Sequence, residues 1–155
     1  MLLDTHALIW AMMAPDLLSE PAHDALASAT ECCVSAASLH ELTCEAMLGK
    51  WPKVEGLLSV DLDARLGSDG FEVVSAFGAI MERDGRLAWT HRDPSDRIIA
   101  ATAINRTLPV VPKNETLDVL PDGGVRRVWK ERIVRYSYKS TTKSLPSRAS
   151  AAQDY

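Results

Sequence analysis

The chain is short of cysteine, of long apolar runs and of glycine-rich loops, and each shortage excludes something. Among 155 residues there are three cysteines, Cys32, Cys33 and Cys44. An odd number, two of them adjacent, makes no disulfide framework; buried free thiols and a cytoplasmic location are expected. No apolar run approaches the ~20 residues that a membrane-spanning helix needs. The opening "MLLDTHALIW" has no basic region and carries Asp4, which argues against a secretory leader. Without a glycine-rich phosphate loop, nucleoside-triphosphate chemistry is not expected. "DTHAL" lacks the second nearby aspartate of an aspartyl-phosphate phosphatase. His40 and Cys44 are spaced for one face of a helix, but two ligands do not make a zinc site.

What is present fits one domain. Apolar residues make up 46% of the chain, enough for a sizeable core. Charge is unevenly placed. Residues 130–155 carry a net +4 and residues 1–129 a net −8. The basic tail is rich in Ser, Thr and Lys, has little to bury, and is expected to be mobile. It could serve solubility, nucleic acid or an acidic partner.

Strand and helix patterns alternate. "MLLD" reads as a strand and "THALIWAMM" as a helix. Ser19 and Pro21 suit the start of a second helix. "CCVS" reads as a buried strand, and Ser35 can cap a helix that stops at Gly49. A further helix is expected over residues 53–66, a strand at "FEVVSA", helices at "FGAIMERDGRL" and "DPSDRIIAATAINR", and strands at "LPVVP" and "GVRRVW". The order predicts an α/β fold with a mostly parallel sheet covered on both faces.

Three carboxylates then invite two readings each. In "DPSD", Asp93 suits an N-cap, Pro94 the first helical position, and Asp96 the third, where it favours the helix dipole. Asp4 ends the first strand and could cap the helix after it. Glu41 lies on a helix that follows a strand directly, with Glu45 one turn along; both could face solvent. Yet the carboxyl ends of parallel strands form the ligand crevice of such sheets. If the three converge they repel one another. Two charges ~5 Å apart at an effective dielectric of ~20 cost roughly 3 kcal/mol. Such a cluster calls for a cation, and oxygen ligands without His or Cys pairs select Mg²⁺ or Mn²⁺. An ion of this kind activates water for phosphoryl displacement.

"LLDTHALIW", "VSAASLHELTCEAMLGK" and "HRDPSDRIIAATA" together resemble the PIN-domain proteins, and within them the toxins of bacterial VapBC-type toxin–antitoxin pairs. The resemblance spans residues 1–129. It implies a three-layer α/β/α domain and a Mg²⁺- or Mn²⁺-dependent endoribonuclease that hydrolyses RNA phosphodiesters. It further implies a homodimer and a VapB-type antitoxin that blocks the site, with no role for a membrane. Its acidic residues fall on Asp4, Glu41 and Asp96, with Asp93 nearby. Thr5 and Ser38 match hydroxyl residues of the family and are candidate substrate contacts; Arg97 matches a basic residue well placed to hold a carboxylate or a phosphate, and Lys113 could contact phosphate. Asn114 stands where the family offers another aspartate, and Glu45 where close relatives are often basic. Asn114 leaves open a protein that binds RNA or an antitoxin with weak or lost cleavage. A metal-dependent phosphatase is a third alternative. His6 and His91, beside the acidic motifs, are candidates for phosphate contact or proton donation. The four tryptophans are expected in the core or at a dimer surface.

Overall fold

Helix starts in this protein are set by short polar side chains that accept orphan backbone amides. The structure, a computed structural model, describes residues 1–59, 61–112 and 125–129. Asp4 caps α1 (Thr5–Met13), Ser19 caps α2 (Glu20–Ser28) and Ser35 caps α3 (Ala36–Met47). Asp61 caps α4 (Leu62–Ser68) and Asp93 caps α6 (Pro94–Arg106), while α5 (Gly78–Arg86) starts without a side-chain cap. Beyond the end of α3, Gly49 takes φ +71°, the left-handed conformation that glycine tolerates best.

The strands are β1 (Leu2–Leu3), β2 (Cys32–Ser35), β3 (Phe71–Val74) and β4 (Val110–Val111). They form one parallel sheet in the order β3-β2-β1-β4. The register pairs Leu2 with Cys33 and Val110, and Leu3 with Val34 and Val111. Alternate residues point to opposite faces, so each row feeds a different core. Leu2, Cys33 and Val110 pack with Val74, Ile80, Trp89 and the buried stripe Ile99–Ala103 of α6. Leu3, Val34 and Val111 pack with Leu8, Ile9, Leu42, Trp51 and Leu66. Helices therefore cover both faces, the three-layer α/β/α arrangement expected from the sequence. Among the described residues no helix is long and apolar enough to cross a membrane.

Three expectations need correction. The helix over 53–66 is instead a 3-10 segment (Pro52–Ser59) followed by α4. Pro52 and Gly56 disfavour an α-helix there, and Asp61, accepting from the Ala64 amide at 3.1 Å, opens a new one. "GVRRVW" contributes one parallel bridge, Val110 to Arg127, rather than a full strand among its described residues. Cys44 is exposed, not buried, because it lies on the outer side of α3; Cys33 is buried and Cys32 half-buried. Trp10, Trp51 and Trp89 are buried as expected. The tail 130–155, with Lys113 and Asn114, lies outside the described residues.

Candidate active site

The carboxyl ends of β1 and β2 and the start of α6 meet at one pocket. Asp4, Thr5, His6, Glu41, Asp93 and Asp96 line a cavity of about 170 Å³. Asp4 arrives directly from β1. Its backbone amide still donates to the Val111 carbonyl at 3.1 Å, which fixes it to the sheet. Its Oδ1 accepts from the Ala7 amide at 2.7 Å, so the side chain caps α1 and faces the pocket at once. Asp4 therefore caps α1 from within the pocket wall. The residue is only 8% exposed.

Glu41 comes from the second turn of α3. Thr5 Oγ1 donates to Glu41 Oε2 at 2.6 Å, linking two segments 36 residues apart. Burial pushes the Glu41 carboxyl above its ordinary range. The Thr5 hydroxyl pulls it back, and the charges of Asp93, Asp96 and Glu45 push it up again.

The two aspartates of "DPSD" divide their roles. Asp93 Oδ1 accepts from the Ser95 amide at 2.9 Å and the Asp96 amide at 3.4 Å, a helix cap. Asp96 does not reach back to the cap. Its Oδ2 lies 2.7 Å from His91 Nε2, which donates to the ionised carboxylate. The His91 ring stacks on Trp89 with centroids 4.7 Å apart. Burial raises the Asp96 carboxyl, the His91 bond lowers it, and the Asp93 charge raises it.

Of the expected substrate contacts, Thr5 alone lines the pocket among the described residues. Arg97 is mostly buried and turned inward. Its Nε donates to Asp84 Oδ1 at 2.9 Å, and its terminal nitrogens to the carbonyls of Trp89 and Asp84, both at 2.6 Å. It clamps the segment that carries His91 and holds a carboxylate, that of Asp84, the first of the two roles expected of it. Ser38 is fully buried, which removes it from contact with a bulky substrate. Its Oγ has no partner among the described residues. Thr5 lines the pocket, but its hydroxyl is committed to Glu41. His6 lines the pocket too, edge-on to Trp51 at 5.4 Å. Glu45 is bridged to Lys50 at 2.7 Å and does not line the acidic pocket.

The donor set suits a hard divalent cation. The pocket walls present four carboxylates and, among the described residues, no Lys or Arg. Two of those carboxyls, Glu41 and Asp96, are pushed up by burial and by neighbouring carboxylates, a penalty that a bound cation relieves. Asp4, Glu41 and Asp96 are the residues that would hold it.

The pairing of Asp96 with His91 was missed in the sequence, although both residues had been singled out. Their spacing of five places them across a cap rather than on a helix face. Asp84, the counter-ion of Arg97, carried no signal at all.

Comparison with known proteins follows this geometry. The model of the family described as "PIN domain" matches residues 1–122. Comparison with curated proteins finds no sequence match. Among solved structures, the chain is similar to the DNA-bound VapBC of Salmonella typhimurium, with 24% identity and a TM-score of 0.60, covering 81% of this chain and 94% of that one. It is also similar to VapBC2 of Rickettsia felis bound to a promoter DNA fragment, with 20% identity, a TM-score of 0.60 and coverage of 83% and 98%. A toxin–antitoxin complex of Klebsiella pneumoniae gives 21% identity, a TM-score of 0.52 and coverage of 79% and 92%. The shared fold, the matched span and the carboxylates at the strand ends agree: the chain belongs to the PIN-domain family.

Proposed function

We propose that the protein is a Mg²⁺- or Mn²⁺-dependent endoribonuclease, the toxin of a bacterial toxin–antitoxin pair. The observation that carries this reading is the meeting of Asp4, Glu41 and Asp96, from three distant segments, in one oxygen-lined pocket. A bound divalent cation would supply Lewis-acid polarisation of a phosphodiester and a more acidic water. The chain's own residues hold that charge in place. Asp4 is fixed by β1 and its cap bond, Glu41 by Thr5, and Asp96 by His91. Such supporting bonds orient ligating carboxylates. The substrate is RNA, cleaved by hydrolysis in the cytoplasm. A VapB-type antitoxin is a proposed partner, supported by the VapBC complexes among the structural neighbours; a second copy of the chain is proposed from the family resemblance. Lys113 as a phosphate contact and Asn114 as a neutral metal ligand belong to the same proposal.

The test is RNA cleavage by the purified chain, free of antitoxin, with Mn²⁺ or Mg²⁺. Asp4→Asn is the informative variant, because asparagine keeps an acceptor for the Ala7 amide while removing the charge. Cation-dependent cleavage by the wild type, lost by about a hundredfold or more in Asp4→Asn with the fold intact, is the expected result. Undiminished cleavage by Asp4→Asn would refute the site.

A further inference from the structure

A second, larger cavity opens beside the acidic pocket. Its volume is about 560 Å³, and Glu41 and Asp93 belong to the walls of both. The α3 side contributes Ala37, His40 and Cys44; the facing side contributes Met81, Pro94 and Ile98. A volume of roughly 300–1,000 Å³ with apolar walls and a few placed polar groups is typical of small-ligand sites. Among the described residues no Lys or Arg lines it, so it suits an uncharged group better than a phosphate. If the acidic pocket holds the scissile phosphate, the nucleoside one covalent linkage away lies beside the shared wall.

We propose that this groove is a nucleobase subsite that favours bases bearing an exocyclic amino group. The proposal rests on the nuclease reading above. The polar groups of fixed character on its rim are the carboxylates Glu41, Glu45 and Asp93, all acceptors. Glu45 is neutralised by Lys50, which bridges to both its oxygens at 2.9 and 2.7 Å. A carboxylate offers about four lone-pair sites, so each retains acceptor capacity beyond the bonds already described. Cytosine and adenine present amino donors at their edges, and carboxylates accept from them. Uracil presents two carbonyls around a single N–H, and those carbonyls would face the carboxylates. One hydrogen bond gained, against one repelled, favours the amino-bearing base about threefold to tenfold.

Two measurements are made in parallel. In the first, a random-sequence RNA pool is cut with Mn²⁺ and the new ends are sequenced. Cys44→Trp fills the groove from an exposed helical position, and Glu45→Lys replaces an acceptor with a donor. The expected wild-type ends carry an amino-bearing base at one nucleotide beside the cut, threefold to tenfold over uridine. Cys44→Trp flattens that preference and Glu45→Lys moves it towards uridine. Identical end composition in all three proteins overturns the subsite and leaves the nuclease reading standing. The second measurement needs no cleavage. Cys44 is exposed, whereas Cys33 is buried with its thiol pushed up to about 11. Alkylation of Cys44 by iodoacetamide, located by peptide mass, is followed with cytidine or uridine 5′-monophosphate. Stronger protection by the cytidine nucleotide supports the subsite even if the pool is not cut. Protection by neither nucleotide, or equally by both, overturns it.

Discussion

The two ends of the sheet both gather acidic side chains, and they manage them in opposite ways. At the amino end, Glu31, Cys33 and Glu72 bring possible ligand atoms within 4.8 Å of one another. By spacing alone that group suits a metal. Its charge is already answered, however. Arg106 pairs with Glu72. A hydrogen bond with Glu72 raises the Glu31 carboxyl and lowers that of Glu72, so the two behave as one shared site. Burial, its largest cause, pushes the Cys33 thiol up to about 11, so without metal it stays protonated at neutral pH. At the carboxyl end, Asp4, Glu41, Asp93 and Asp96 share a pocket with no Lys or Arg among the described residues. The nearby Arg97 is turned inward to Asp84. Spacing nominates one end and the mutual charge of the carboxylates the other. Like-charged carboxylates gathered in a partly buried pocket are the stronger indication, because burial and neighbouring charge both raise the cost of ionising them.

The comparison can be broken most directly through catalysis. Glu41→Gln should lower cation-dependent RNA cleavage by about a hundredfold or more, since it removes a charge from the cluster. Glu72→Gln, at the other end, should leave the rate unchanged within about twofold. Equal losses in single-turnover assays would erase the distinction between the ends.

The inward arginine gives the next largest effect. Arg97→Ala strands the mostly buried Asp84 and should destabilise the fold by about 3 kcal/mol. Thermal unfolding should show a fall on the order of 10 °C. A shift within about 1 °C would mean that Arg97 is not the brace assigned here.

A subtler change is Thr5→Val, which keeps the shape of Thr5 and deletes the hydroxyl donated to Glu41. Loss of an outer-shell partner lowers metal affinity about tenfold. Thr5→Ser should restore it. Titration calorimetry with Mn²⁺ separates the two outcomes.

The smallest effect is on stability against pH. Glu41 and Asp96 have carboxyls raised in the folded state. The folded protein therefore binds more protons than the unfolded chain between the ordinary carboxylate range, about 4, and the raised folded values. Without metal, the stability contributed by these two groups is fully present below that range and is lost as pH rises through it. Glu41→Gln should remove part of the fall and make the metal-free protein more stable at neutral pH by about 1 kcal/mol. Urea midpoints at acidic and neutral pH measure this. A variant no more stable than wild type at neutral pH would show that Glu41 is not held at an electrostatic cost.

How much of this was legible in the sequence follows the range of the interactions. The caps Ser19, Ser35 and Asp93 were readable because capping is local. The sheet and its two covered faces followed from short apolar strands alternating with helices. Asp4, Glu41 and Asp96 could be placed at one edge because strand ends in a parallel sheet share that edge. Arg97 could not be oriented, because Asp84 and the carbonyls that hold it lie on another helix and its following loop. Ser38 was legible as a small hydroxyl but not as a fully buried one. The split of residues 53–66 was signalled by Pro52, Gly56 and Asp61, and the apolar spacing obscured it.

The most direct measurement is calorimetric titration of Mn²⁺ into the purified chain, with Asp96→Asn and Glu72→Gln alongside. Binding by the wild type and Glu72→Gln alike, weakened tenfold or more in Asp96→Asn, is the predicted result. Binding that survives in Asp96→Asn and disappears in Glu72→Gln would put the cation at the amino end and contradict the account.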